Sequence, residues 1–183
     1  MKNKILKYDC LIIGSGLLGS LLAISLIKKQ YKVLVLEKEG LSDGAFSDQR
    51  TLAVNANSRN FLKSIDLWDK LNKKHVDIGQ ISIKTYLNKD ELIFKEQDAM
   101  GSVIFNKELL SIAHKILIKE KSIVGNAFMQ LDQLQSNKNF KIKNKEYIFK
   151  KMISINLIDK LFSTHYDNFF KYILFIFDFQ IFI

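Results

Sequence analysis

Apolar runs and their interruptions mark out most of the elements of this chain. Residues 8–13, YDCLII, form an apolar run that stops at a glycine, as expected for a strand buried in a parallel sheet. Residues 17–29 carry Leu17, Leu18, Leu21, Leu22, Ile24 and Leu26 on most faces, which predicts a helix packed onto a sheet and under neighbours. YKVLVLE, 31–37, predicts a second strand. Strand, helix and strand in about 30 residues make one βαβ crossover. GLSDGAFSD, 40–48, is loop by composition. Phe61, Leu62, Ile65, Leu67, Trp68 and Leu71 fall at helical spacing and predict one helix over 55–71. ISIKTY, 81–86, alternates and predicts a strand that ELIF, 91–94, can pair with; GSVIF predicts another strand. Asn106 suits the cap of a helix over KELLSIAHKILIKE, with Glu108 in its first turn. NFKIKNKEYIF, 139–149, alternates on both sides of Asn144-Lys145 and predicts a β-hairpin.

The pattern changes after residue 150. The stretch 151–183 has no glycine and holds seven of the chain's 14 phenylalanines. Its end, FFKYILFIFDFQIFI, is too short to span a bilayer and is interrupted by Lys171 and Asp178. A membrane-surface helix and an aggregation-prone edge strand both fit it.

Composition narrows the classes. With 183 residues, 48% hydrophobic and 26% charged, the chain is globular and long enough for a sizeable core, as one ordinary domain. The formal charge of +9 invites a nucleic-acid reading. Yet Arg50 and Arg59 are the only arginines, and the lysines are spread along the chain with no aromatic-interleaved stripe, so no nucleic-acid partner is expected. Heavy use of Lys, Ile, Asn and Phe without proline suits an AT-rich coding sequence. Cys10 is the single cysteine, which excludes an internal disulfide and a cysteine metal cluster; inside the first strand it reads as a small buried hydrophobe. His75, His114 and His165 lack metal-ligand spacing, so no metal site is expected. The basic, then apolar, start has no small-residue cleavage site, so a cytoplasmic chain beginning at its first strand is expected.

The chemistry lies between the first strand and the second. Gly14-Ser15-Gly16-Leu17-Leu18-Gly19 has the spacing G-x-G-x-x-G. Gly14 permits the tight turn, Gly16 lets backbone approach a pyrophosphate, and Gly19 lets the helix pack closely on the strand. The helix N-terminus offers N–H groups and a positive dipole end to phosphates. Glu37 closes the second strand, where a carboxylate accepts hydrogen bonds from an adenosine ribose and repels a 2′-phosphate. Dinucleotide binding follows, with NADP disfavoured; these residues do not separate FAD from NAD.

The next segment does. DQRTLAVNANSRNFLKSIDLWDKL, 48–71, places Asp48, Arg50, Thr51, Ala53, Ser58, Leu62, Leu67 and Trp68 in a pattern that resembles the flavin aromatic-ring hydroxylases of the p-hydroxybenzoate hydroxylase type, and most closely those of ubiquinone biosynthesis. AMGSVIFNKELLSIAHKIL, 99–117, is similar to the strand and helix that enter that family's substrate layer. The resemblance covers roughly residues 5–150. It implies an α/β fold: a Rossmann-like FAD-binding domain with a parallel sheet, a β-meander and an incomplete substrate layer, inserted over about residues 75–120. It implies FAD held by Gly14, Ser15, Gly16, Leu17, Leu18, Gly19, Glu37, Lys38 and Arg50, the Arg50 fork bridging phosphate and ribose oxygens. Arginine is common in the family where this chain has Lys107, which supplies charge without a bidentate fork; Phe128 aligns with a strand that touches adenine, though core packing explains it and Trp68 as well.

The family's activity would be NAD(P)H-driven oxygenation of a polyprenylated phenol or quinone precursor. That implies a peripheral place on the inner membrane and a ubiquinone-biosynthesis complex as partner. The family also carries a later Asp-Gly and a Gly-Asp motif. This chain has no Gly-Asp, and its one Asp-Gly, Asp43-Gly44, sits in the early loop. A truncated frame with residues 151–183 translated out of frame is therefore expected, and no catalytic acid or base is assigned. A non-catalytic remnant binding the ADP half of FAD, and an NAD enzyme with the same start, are the other readings; the Asp48 to Trp68 segment speaks against the NAD enzyme.

Overall fold

The computed structural model describes residues 5–38, 49–72, 74–84, 91–95, 100–125, 127, 138–142 and 145–154. The expectations for loop 40–48, for Phe128, His165, Asp43 and Asp48, and for the phenylalanine-rich tail from residue 155 lie outside the described residues. The chain forms two compact units, Met1–Leu41 with Ile116–Ile183, and Ser42–Lys115.

The first unit is a five-stranded sheet. Its strands are β1 (Ile5–Ile13), β2 (Val33–Leu36), β8 (Ile123–Val124), β9 (Asn139–Ile142) and β10 (Lys145–Ser154), in the spatial order β8-β2-β1-β10-β9. All neighbours are parallel except β9 and β10, which form the expected hairpin. Helix α1 (Leu17–Lys28) joins β1 to β2. All four β2 residues are buried, because the strand has a partner on each edge. Leu11, Leu34, Leu36, Phe140, Tyr147 and Phe149 form one core, in which the Phe140 and Tyr147 rings stack at 5.0 Å. The hairpin arm runs to Ser154 and lies parallel to the whole of β1, from Ile5 opposite Glu146 to Ile13 opposite Ser154.

The second unit holds two antiparallel sheets. One has β7 (Gly101–Phe105) between β3 (Thr51–Asn55) and β4 (His75–Ile78). The other is the expected ribbon of β5 (Gln80–Lys84) and β6 (Glu91–Lys95). The helix expected over 55–71 is shorter. Asn55 caps α2 (Ala56–Ser64) by accepting from the Ser58 N–H at 2.8 Å. The helix stops where Asp66 takes a left-handed φ of 57°, and a single 3₁₀ turn, Asp69–Leu71, follows. Trp68 and Leu71 still reach the core, since the turn buries them as a longer helix would. Helix α3 (Asn106–Lys119) begins directly at Asn106.

Candidate dinucleotide-binding site

In the first unit β2 and β8 lie on one side of β1, and β10 and β9 on the other. The strand order therefore reverses at β1. In open α/β sheets, ligands sit beyond the carboxyl ends of the strands at such a reversal. Here that place lies beyond Ile13 and Ser154, and the next residue after β1 is Gly14.

Gly14 has φ 100°, a conformation that side chains disfavour, so the first glycine is required by the turn itself. Its N–H donates to the Leu36 carbonyl at 2.8 Å, which ties the loop to β2. Gly16 is the N-cap of α1, with φ −57° and ψ 179°, values open to any residue. A Cβ on Gly16 would meet no atom within 4 Å. The second glycine is thus required neither by the backbone nor by packing, and the space above it suits a group that must come close to the main chain. Gly19 is buried in the first turn of α1, consistent with close helix packing. The first intrahelical bond runs from Ser20 N–H to the Gly16 carbonyl at 2.9 Å, so the amides of Leu17, Leu18 and Gly19 precede it. The first turn has no acidic residue and no side-chain cap. Half-exposed Leu18 stands beside these amides. An anion fits this helix end on charge, dipole and space.

Glu37 follows β2. Its N–H donates to the Val124 carbonyl at 2.9 Å and its carbonyl accepts from Ala127 N–H at 2.8 Å, so its backbone is fixed between two segments of the same unit. Its side chain was expected to face a ribose. In the structure Glu37 Oε2 accepts from both Ser15 N–H and Ser15 Oγ–H, each at 2.7 Å. The carboxylate therefore reaches the glycine loop. Ser154, opposite Ile13 at the reversal, has a buried hydroxyl with no hydrogen-bond partner among the described residues. The sequence reading counts Ser15 among the cofactor-holding residues but does not foresee its bond to Glu37, and it misses Ser154, which nothing local marks.

The structure thus brings Gly14, Ser15, Gly16, Leu17, Leu18, Gly19 and Glu37 together, with exposed Lys38 next in the chain. Arg50 belongs to the second unit, exposed, just before β3. Its carbonyl accepts from Asn106 N–H at 2.9 Å, and Lys107 Nζ donates to neighbouring Gln49 Oε1 at 3.3 Å. Arg50 and Lys107 are thereby held at the same end of the β3–β7 pair. Trp68 is core, as expected: it is buried, with the His75 ring at 4.9 Å and the Arg59 guanidinium 5.9 Å from its centre. Burial pushes the Cys10 thiol up to about 11, which makes it an unreactive core residue. Among the described residues no group of His, Cys, Asp and Glu could hold a metal. Nor, among them, is any helix long and apolar enough to cross a membrane.

No protein-family model and no curated protein matches the chain. Solved structures do. The probable FAD-dependent monooxygenase PqsL of Pseudomonas aeruginosa superposes with a TM-score of 0.60 at 11% identity, over 80% of this chain and 41% of its own. The p-nitrophenol 4-monooxygenase PnpA of Pseudomonas putida gives 0.58 at 16% identity, over 82% and 41%. The rebeccamycin biosynthetic enzyme RebC, solved with reduced flavin, gives 0.55 at 12% identity, over 83% and 32%. The chain thus has the α/β fold of FAD-dependent monooxygenases, with a largely parallel sheet in one unit and antiparallel sheets in the other, and spans less than half the length of these three proteins.

Proposed function

We propose that this chain binds FAD through its ADP half and is the cofactor-binding part of a flavin-dependent monooxygenase. The observation that carries the proposal is the glycine turn at the sheet's reversal, with open space over Gly16 and the Glu37 carboxylate at the loop. The amides of Leu17, Leu18 and Gly19 would hold the pyrophosphate. Glu37 would accept the ribose hydroxyls and disfavour a 2′-phosphate. Lys38 would add positive charge to the phosphate side, and for Arg50 a role toward the cofactor rests on the Asp48-x-Arg50 resemblance alone. When bound, FAD supplies the redox chemistry that passes oxygen to an electron-rich ring. The chain's own part is to bind and orient it.

The finer reading rests on the Asp48-x-Arg50 to Leu67-Trp68 resemblance: a ubiquinone-biosynthesis hydroxylase with NAD(P)H as donor and a polyprenylated phenol as substrate. Such a substrate sets the working place at the inner face of a membrane, with a biosynthetic complex as partner.

The test is spectroscopic. The full chain is titrated with FAD, ADP and NADH, and bound flavin is read from the visible spectrum. FAD binding that ADP displaces supports the proposal. NADH binding without FAD binding contradicts it. Oxygen- and NAD(P)H-dependent hydroxylation of a prenylated phenol by the flavin-loaded chain tests the finer reading.

A further inference from the structure

The fingerprint asks nothing of the residue between its first two glycines, yet here that residue is a buried serine with both its donors on one oxygen. We propose that Ser15 is a positioning residue, which holds the Glu37 carboxylate in the rotamer that receives the ribose of an adenine nucleotide. The proposal rests on the dinucleotide reading above and deepens it.

Ser15 is 2% exposed. Its N–H and its Oγ–H converge on Glu37 Oε2, each at 2.7 Å. Its carbonyl accepts from the Oγ of Ser20, itself fully buried in α1, at 2.8 Å. Ser20 N–H in turn donates to the Gly16 carbonyl. Position 15 is therefore fixed on three sides: to α1 through Ser20, to β2 through the Gly14 N–H, and to Glu37 through its own two donors. The loop does not need the hydroxyl to make its turn, because Gly14 already supplies the special backbone and the Ser15 N–H already contacts the carboxylate. The hydroxyl adds a second point of attachment to a long, flexible side chain. A glutamate left to itself loses rotamer freedom when it binds a ligand; one held in place has lost it already. A charge-assisted bond is also stronger than one between neutral groups. Ser15 touches no ligand in this scheme and acts only through Glu37.

The experiment compares two nucleotides on the full chain: ADP, and 2′,3′-dideoxyadenosine diphosphate, which keeps the pyrophosphate and the base but lacks the ribose hydroxyls. Ser15→Ala is expected to weaken ADP binding about tenfold. It leaves the dideoxy nucleotide within about twofold, and in a Glu37→Ala background it has no further effect on ADP, again within about twofold. Equal losses on both nucleotides would mean that the hydroxyl merely supports the loop, and would overturn the proposal. Unchanged ADP binding would overturn it too. A wild-type chain that binds neither ADP nor FAD fails at the dinucleotide reading itself, a result separate from any effect of the variant, and the proposal falls with it. Should Ser15→Ala not fold cooperatively, Ser15→Gly removes the same hydroxyl and is read by the same comparison.

Discussion

Strand β2 and the β5–β6 ribbon are both rich in aliphatic residues, and the molecule treats them oppositely. Val33, Leu34, Val35 and Leu36 are all buried. Every residue of β5 and β6 is exposed. The ribbon is no less patterned: its register pairs Ile81 with Phe94 and Ile83 with Leu92 on one face, and Gln80 with Lys95, Ser82 with Ile93 and Lys84 with Glu91 on the other. Ser82 and Lys84 both reach the Glu91 carboxylate, so the polar side is tied together while the apolar side is not packed. Burial here follows from neighbours rather than from hydrophobicity. β2 has β1 and β8 on its edges, and α1 joins it to β1; among the described residues the ribbon's strands pair only with each other. The same contrast separates the glycine loop, pinned by hydrogen bonds in several directions, from a two-stranded element of marginal independent stability.

That contrast sets the order of expected effects. Leu11→Ala in the core should lower unfolding stability by about 2–5 kcal/mol, whereas Ile83→Ala in the ribbon should stay within about 0.5 kcal/mol, both read from urea unfolding. Similar losses at the two sites would break the comparison. Next come two glycines that resist a side chain, Gly101 for want of space and Gly14 by its backbone. Gly101→Ala puts a Cβ 2.8 Å from the Val54 carbonyl oxygen, between β7 and β3, and should cost about 1–3 kcal/mol. Gly14→Ala, at φ 100°, should cost about 1–2 kcal/mol. Ser154→Ala goes the other way. It removes a buried hydroxyl that has no partner among the described residues and should raise the stability of the ligand-free chain by about 1 kcal/mol.

A further effect is one of pH. Burial raises the Cys10 thiol to about 11 in the folded chain. Above the ordinary thiol range the unfolded chain releases this proton first. Stability from Cys10 is therefore full at neutral pH and is lost as pH rises toward 11. The stability difference between wild type and Cys10→Ala should shrink from pH 8 to pH 10, about the interval over which the unfolded thiol ionises. A difference constant across that interval would contradict the assigned shift.

The βαβ unit was legible because its signals are local. A buried strand ending at a glycine, a helix and a second buried strand follow in one stretch, and Glu37 closes them. The later elements depended on distant partners. HVDI, the strand β4, is half polar and forms against β7 some 25 residues on. TLAVN reads as a small-residue stretch until β7 lies beside it as β3's partner. The second arm of the hairpin was visible by alternation. Its long parallel match to β1 was not, since nothing near Lys145–Ser154 announces a partner at the chain's start. The helix over 55–71 was overextended because its apolar spacing continues through the turn at Asp66, where the backbone changes hand. At the site, the acid and the glycines are legible from their spacing, and the structure brings Glu37 to the glycine loop. The bond from Ser15 to Glu37 is not legible, because a residue type at an unspecified position carries no signal until the fold sets it against its partner.

Gly16→Ala tests the site most directly. The backbone at Gly16 suits alanine and the added Cβ meets no protein atom, so the variant should unfold within about 0.5 kcal/mol of wild type. The same methyl would stand where the pyrophosphate must approach. FAD should therefore bind the wild-type chain, and its affinity should fall at least about tenfold in the equally stable variant. A wild-type chain that takes up no FAD, or a variant that binds it as well as wild type does, would contradict the assignment of this loop as the cofactor site.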